Sequence, residues 1–263
     1  MSAKLQRIEV EPGVQLAVSD SGGDKPVLLT SNSLAADLSM WDELADGLGD
    51  RFRLVRYDTR GHGGSDIGSS AVTIERLGRD VIAIMDALGI KQATFCGLSL
   101  GGLTGMWLGV HHGDRFERLV FANTAANFPP AKMWQDRAAQ VRSGGMQPLV
   151  QPTLERWFTA PFRQSHPERV AAVGASITAT PAVGYAACCE VLAQTDLLPQ
   201  LGKIDRPVLV ISGAHDASTP PARGEEIATA IRGAKMTTLE AAHVSAIEAA
   251  DAFTEEIKAF ASR

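Results

Sequence analysis

Three things are scarce in this chain, and each scarcity removes a class of protein. Cysteine is the first: Cys96, Cys188 and Cys189 are the whole supply in 263 residues. An odd count with one adjacent pair gives neither a disulfide framework nor metal-ligand spacing, so a reducing compartment is expected. Basic excess is the second. Lys and Arg number 25 against 30 Asp and Glu, for a net charge of −5, where a nucleic-acid binder would carry a basic stripe. A local cluster of arginines remains able to hold a small anion. Long apolar runs are the third. None approaches 18 residues, so no membrane span is expected, and MSAKLQRIEV lacks the apolar stretch of a signal peptide. The cytoplasm is the expected location.

What is present reads as one globular domain with an insertion, since 263 residues is near the limit for a single core. Ile8 and Val10, then Val14, Leu16 and Val18, alternate around Pro12-Gly13 as a two-stranded hairpin. The runs 26–31, 52–58, 93–97, 118–123 and 207–213 are short, apolar and non-alternating, the pattern of strands covered on both faces. Helical spacing separates them, as at Ile74, Leu77, Val81, Ile84, Met85 and Leu88 between Thr73 and Gly89. Such alternation predicts a mostly parallel, doubly wound sheet. Between Thr124 and Leu201 the rhythm fails and prolines accumulate. The division expected is a core of 1–124 and 201–263 with a helical cap, 125–200, over the C-terminal ends of the strands, where ligand sites of open α/β sheets lie.

Gly97-Leu98-Ser99-Leu100-Gly101 fits G-x-S-x-G between the buried run ATFC and the helical stretch LTGMWLGVHH. A turn that tight needs glycine two before and two after the serine, and Gly102 adds slack. It presents Ser99 Oγ as a nucleophile, with the Leu100 N–H at a helix N-terminus as an oxyanion donor. The base in this arrangement follows its acid in the chain. Asp216 stands just past the strand PVLVISG, and His243 is the one histidine after it. The competing acid position, at the end of the preceding strand, holds uncharged Asn123. His215 reads as a neighbour of the acid, and His62 in RGHG as structural.

The segments SNSLAADLSMWD, RYDTRGHGGSD, LGRDVIAIMDALGI, FCGLSLGG and ANTAA, in this order, closely resemble the 3-oxoadipate enol-lactonases, members of the α/β-hydrolase superfamily. G-x-S-x-G and DTRGHG are common across that superfamily; the SNSL loop with DLSMW is the discriminating part. Ala35-Ala36 replaces a more usual Gly-Thr, and Leu100 stands where Met is common, both beside the site. The resemblance implies an eight-stranded α/β-hydrolase fold with the cap between strands 6 and 7. It implies hydrolysis of 3-oxoadipate enol-lactone by Ser99, Asp216 and His243, with no metal or organic cofactor. Alignment on Trp41 makes the Leu34 N–H the second oxyanion donor, with Ser33 as the alternative. The small anionic lactone calls for a cation in the cap: Lys132, Trp134, Arg137, Arg156, Trp157 and Arg163 are the candidates, with Trp134 and Arg137 the first choice. Rival readings are a broad carboxylesterase, a cofactor-free perhydrolase on the same triad, and a non-catalytic binding relative. Nothing in the sequence indicates the oligomeric state.

Overall fold

The computed structural model describes residues 4–261. The strands are β1 (Lys4–Glu11), β2 (Val14–Asp20), β3 (Val27–Ser31), β4 (Arg53–Tyr57), β5 (Ala93–Leu98), β6 (Phe116–Ala122), β7 (Val208–Gly213) and β8 (Lys235–Leu239). They form one sheet in the order β1-β2-β4-β3-β5-β6-β7-β8. β1 and β2 make the antiparallel hairpin, with Ile8 opposite Leu16 and Gly13 at φ 76° in its turn. From β4 to β8 every neighbouring pair is parallel. Every residue of β5 and β7 is buried, which is why their sequences run apolar without alternation.

Helices cover both faces. α1 (Asp42–Leu48) packs against the last helix of the chain, while α2 (Ile74–Ala87) and α3 (Leu100–His111) pack on the other face. α2 begins where Thr73 Oγ1 accepts from the Arg76 N–H at 3.1 Å and ends before Gly89 at φ 65°. Its Leu77, Val81, Ile84 and Met85 are buried. The loop after β4 is fixed by charge: fully buried Arg60 makes a two-pronged contact with Asp80 of α2 at 2.8 and 2.6 Å and also meets Glu11 of β1 at 2.6 Å. This pairing satisfies a guanidinium that would be costly to bury alone.

Between β6 and β7 the chain forms five helices: α4 (Ala131–Gly144), α5 (Gln147–Trp157), α6 (Ala160–Ser165), α7 (Pro167–Ala179) and α8 (Ala182–Gln194). Most of the prolines punctuate these helices, while Pro152 lies inside α5. Pro148, Pro161 and Pro167 lie in first turns, and Pro130 and Pro181 immediately precede α4 and α8; there the missing N–H would have no helical partner. α8 meets the core at the Arg60 loop, where Gly184 and Gly61 stack backbone on backbone. A Cβ on Gly184 would lie 1.9 Å from the Gly61 carbonyl oxygen. The chain then supplies α9 (Pro221–Ala230) after β7, and α10 (Ser245–Glu248) and α11 (Ala250–Ala261) after β8. No single helix among the described residues is long and apolar enough to cross a membrane.

Candidate active site

Ser99 stands between the end of β5 and the start of α3 with φ 57° and ψ −113°, a strained conformation costing roughly 1–3 kcal/mol. Neighbouring contacts enforce it. A Cβ on Gly97 would lie 2.1 Å from the Gly101 carbonyl oxygen, and one on Gly101 would lie 2.1 Å from that of Ser31. Gly102 differs from its expected role as slack: a Cβ there would meet Thr124 Cγ2 at 2.6 Å, so its glycine serves close packing. Thr124 then clasps the turn by donating to the Ser99 carbonyl at 2.7 Å.

The loop after β3 is tied to the same turn. Its Asn32 carbonyl accepts from the Gly101 N–H at 3.0 Å. The Asn32 side chain accepts from Trp41 Nε1 at 2.8 Å and donates to the Tyr57 carbonyl at 2.9 Å. The Ser33 N–H is occupied by Met40 Sδ at 3.4 Å. Among the described residues, neither the Leu34 nor the Leu100 N–H meets an acceptor. Leu34 lines the cavity that Ser99 faces, and Leu100 opens α3 beside it. Of the two N–H groups that the sequence offered in this loop, that of Leu34 meets no acceptor among the described residues and that of Ser33 does. Ala35, the residue replacing glycine, holds φ 70°.

Asp216 follows β7 and His243 follows β8, both buried. His243 Nδ1 and Asp216 Oδ2 are 2.8 Å apart, and with Nδ1 donating, Nε2 is the nitrogen left for the cavity. Asp216 is encased by donors: the Ser218 and Thr219 N–H groups reach Oδ1 at 2.8 and 2.9 Å, while Thr219 Oγ1 and Asn123 Nδ2 reach Oδ2 at 2.8 and 3.1 Å. Burial pushes its carboxyl up; the His243 imidazole and these donors outweigh that and hold it at about 2. Asn123, which by sequence merely lacked a charge, is thus part of the acid's support. It sits at φ 43°, also donates to the Ala242 carbonyl at 3.1 Å, and accepts from Ser245 Oγ at 2.5 Å.

Ser99 and His243 line one small cavity of about 60 Å³. No direct hydrogen bond joins them; in ligand-free serine hydrolases this contact is commonly long and tightens with substrate. The other histidines lie elsewhere: His215 pairs with Glu240 at 3.1 Å on the surface, and His62 is buried beneath the Arg60 loop. The opposite wall comes from α4, α5 and α8. Trp134 and Arg137 both line it, with the Arg137 guanidinium 4.9 Å from the indole centroid. Trp134 Nε1 is already committed to the Phe128 carbonyl at 2.9 Å, so the indole is a wall and a platform for Arg137. Arg156 and Trp157 line the cavity too. Neither Arg137 nor Arg156 meets a carboxylate among the described residues, and burial with the nearby Arg137 charge lowers the Arg156 pKa. Lys132 is instead exposed and paired with Asp136 at 2.7 Å, and Arg163 is bound to the Glu155 and Phe158 carbonyls. No group of three or more metal-ligating side chains occurs among the described residues.

Strained serine, buried histidine–aspartate pair and parallel sheet together define a class. Residues 26–250 match the family model for the alpha/beta hydrolase fold, and the chain belongs to that family. Within it the chain groups with the 3-oxoadipate enol-lactonases. It is 44% identical to 3-oxoadipate enol-lactonase 2 of Acinetobacter baylyi over 91% of this chain and 90% of that protein. It is 37% identical to enol-lactonase 1 of the same organism over 94% and 93%. The crystal structure of the enol-lactonase from Burkholderia xenovorans superposes with a TM-score of 0.94 at 43% identity, covering 97% of this chain and 99% of the other.

Proposed function

We propose that this chain hydrolyses 3-oxoadipate enol-lactone to 3-oxoadipate, with Ser99 as nucleophile, His243 as base and Asp216 as its orienting acid. The observation that carries this reading is one cavity lined by Ser99 and the Asp216-bound His243, with two guanidinium groups, Arg137 and Arg156, that lack carboxylate partners among the described residues. The insertion 125–200 acts as a cap that encloses the lactone, and the enzyme works on this free metabolite in the cytoplasm.

His243 Nε2 takes the Ser99 proton as Oγ bonds to the ring carbonyl carbon, and the Leu34 and Leu100 N–H groups hold the oxyanion. The tetrahedral intermediate collapses, the ring C–O bond breaks, and His243 returns the proton to the departing enol oxygen. In a lactone the leaving group stays attached to the acyl chain, so it is poised to reclose the ring. Tautomerisation of the enol to a ketone removes that nucleophile and drives the reaction forward. Water, deprotonated by His243, then cleaves the ester at Ser99 and releases a carboxylate. The side-chain carboxylate of the lactone rests on the cap arginines; a charge-assisted hydrogen bond there is worth roughly 1.5–3 kcal/mol.

The test is turnover of the enol-lactone beside that of a neutral aryl ester. Ser99→Ala should lose on the order of 10⁴-fold or more in kcat while keeping its melting temperature within a few degrees. Arg137→Ala should raise KM for the lactone and leave that for the neutral ester unchanged. Retained turnover in the first variant, or equal shifts on both substrates in the second, would sink the corresponding assignment.

A further inference from the structure

The residues on both sides of His243 are tied to one short stretch of the inserted segment. On one side the Ala242 N–H donates to Glu248 Oε2 at 2.8 Å. The other oxygen of Glu248 accepts from the Thr159 N–H at 3.1 Å and the Thr159 hydroxyl at 2.5 Å. On the other side the Val244 N–H donates to the Trp157 carbonyl at 3.2 Å. The indole of Trp157 also lies 6.2 Å from the imidazole, centroid to centroid. Arg156 and Trp157, in the same stretch, line the cavity. The placement of the base therefore depends on the segment that also forms the ligand's wall.

Glu248 is suited to this work in a way an uncharged residue is not. It sits on α10, half-buried, and no Lys, Arg or His neutralises it among the described residues. Its partners are three donors, two from Thr159, 89 positions away, and one from Ala242, six positions away. A carboxylate accepts at both oxygens, so it can serve both sides at once; a glutamine accepts at only one. Charge-assisted bonds of this kind are about twice as strong as neutral ones.

We infer that Glu248 is a positioning residue that couples the 157–159 stretch to the loop carrying His243, setting the angle at which the imidazole meets Ser99. This rests on the assignment of His243 as the base. Glu248 touches no reacting atom, so its removal acts through the alignment of the Ser99–His243 pair. Small displacements there are costly, on the order of 10²-fold in rate for about 1 Å.

The experiment compares the full-length parent with Glu248→Gln, Thr159→Val and the double variant. It records kcat and KM on the enol-lactone, the pH dependence of kcat/KM, thermal melting, and the rate of Ser99 labelling by a small neutral fluorophosphonate. Labelling reads the Ser99–His243 pair without needing the substrate carboxylate. In Glu248→Gln, kcat and the labelling rate should fall together by about 10-fold or more, with KM within about twofold and a displaced acid limb in the pH profile. Thr159→Val should fall less, and the double variant should be no slower than Glu248→Gln, because both changes break one linkage. A folded Glu248→Gln with kcat and labelling within about twofold of the parent overturns the inference, and so do independent, multiplying losses. Should Glu248→Gln fail to fold, Thr159→Val decides by the same criteria. It removes one hydroxyl and keeps the backbone N–H contact. A parent that neither labels nor turns over would instead refute the Ser99–His243 reading itself.

Discussion

Asn123 carries no charge and sits one residue beyond β6, yet its side chain reaches the acid, the carbonyl preceding the base, and Ser245 just after it. Its value lies in being a donor. Asn123→Asp keeps the size and replaces the group 3.1 Å from Asp216 Oδ2 with a second carboxylate. Two carboxylates that close cannot both stay ionised, so the pair titrates well above the value of about 2 that Asp216 holds alone. The expected outcome is an acid limb of kcat/KM displaced to higher pH, with kcat at neutral pH lower by about 10-fold or more; an unchanged pH profile would show that the contact has no electrostatic part. The catalytic candidates were legible in the sequence because Ser99 and Asp216 each follow a buried strand and His243 obeys the fixed chain order. Asn123 and Glu248 were not, because their roles arise from contacts across 93 and 89 positions and no local pattern marks them. For the cavity cations, the sequence offered six candidates and ranked Trp134 and Arg137 first; Arg156 and Trp157 line the same cavity, and no local pattern separated them from Lys132 and Arg163.

The elements were legible to within one or two residues wherever an apolar period was long. The run at 207–213 became β7 (Val208–Gly213), and the pattern from Ile74 became α2 (Ile74–Ala87). Strand order was harder, since β4 lies between β2 and β3 through pairings that no periodicity encodes. The way the inserted helices meet the core was also unreadable. It depends on Gly61 and Gly184, two residues that as letters indicate only flexibility. Gly184→Ala pits two effects against each other: alanine favours a helix over glycine by roughly 0.5–1 kcal/mol, while its Cβ would fall 1.9 Å from the Gly61 carbonyl oxygen. That atom belongs to backbone held by the Arg60 network, so it yields little, and overpacking of this kind costs roughly 1–3 kcal/mol. The clash wins. Gly184→Ala should lower the urea midpoint, whereas Gly144→Ala in α4, where nothing lies within 4 Å of the new Cβ, should raise it or leave it unchanged.

Across the whole molecule a net charge of −5 coexists with a cavity holding two guanidinium groups, because most other arginines are spent in ion pairs such as Arg53–Asp20 and Arg169–Glu43. The same distribution bears on acid stability, where one contributing group, His62, lies outside the site. His62 is fully buried, and burial pushes its imidazole down to about 4, against a partial opposing pull from the Arg60 carbonyl and Asp37. In the unfolded chain it titrates near ~6.5. Between those values the unfolded state binds a proton that the folded state refuses, so stability is lost as pH falls from 6.5 towards 4. At roughly 1.4 kcal/mol per unit, the loss attributable to His62 is about 2–3 kcal/mol by pH ~4.5. Asp216 acts in a separate window: its depressed value means its stabilisation is complete above ~3.9 and disappears only as pH falls through about 2. The partly exposed His112, also lowered by burial, adds a smaller loss in the same direction as His62. A difference measurement separates them. Urea unfolding at pH 7 and pH 4.5 should show the parent losing stability by that amount more than His62→Leu, whatever the variant's stability at neutral pH. Equal losses in the two proteins would place the acid-sensitive proton on another group.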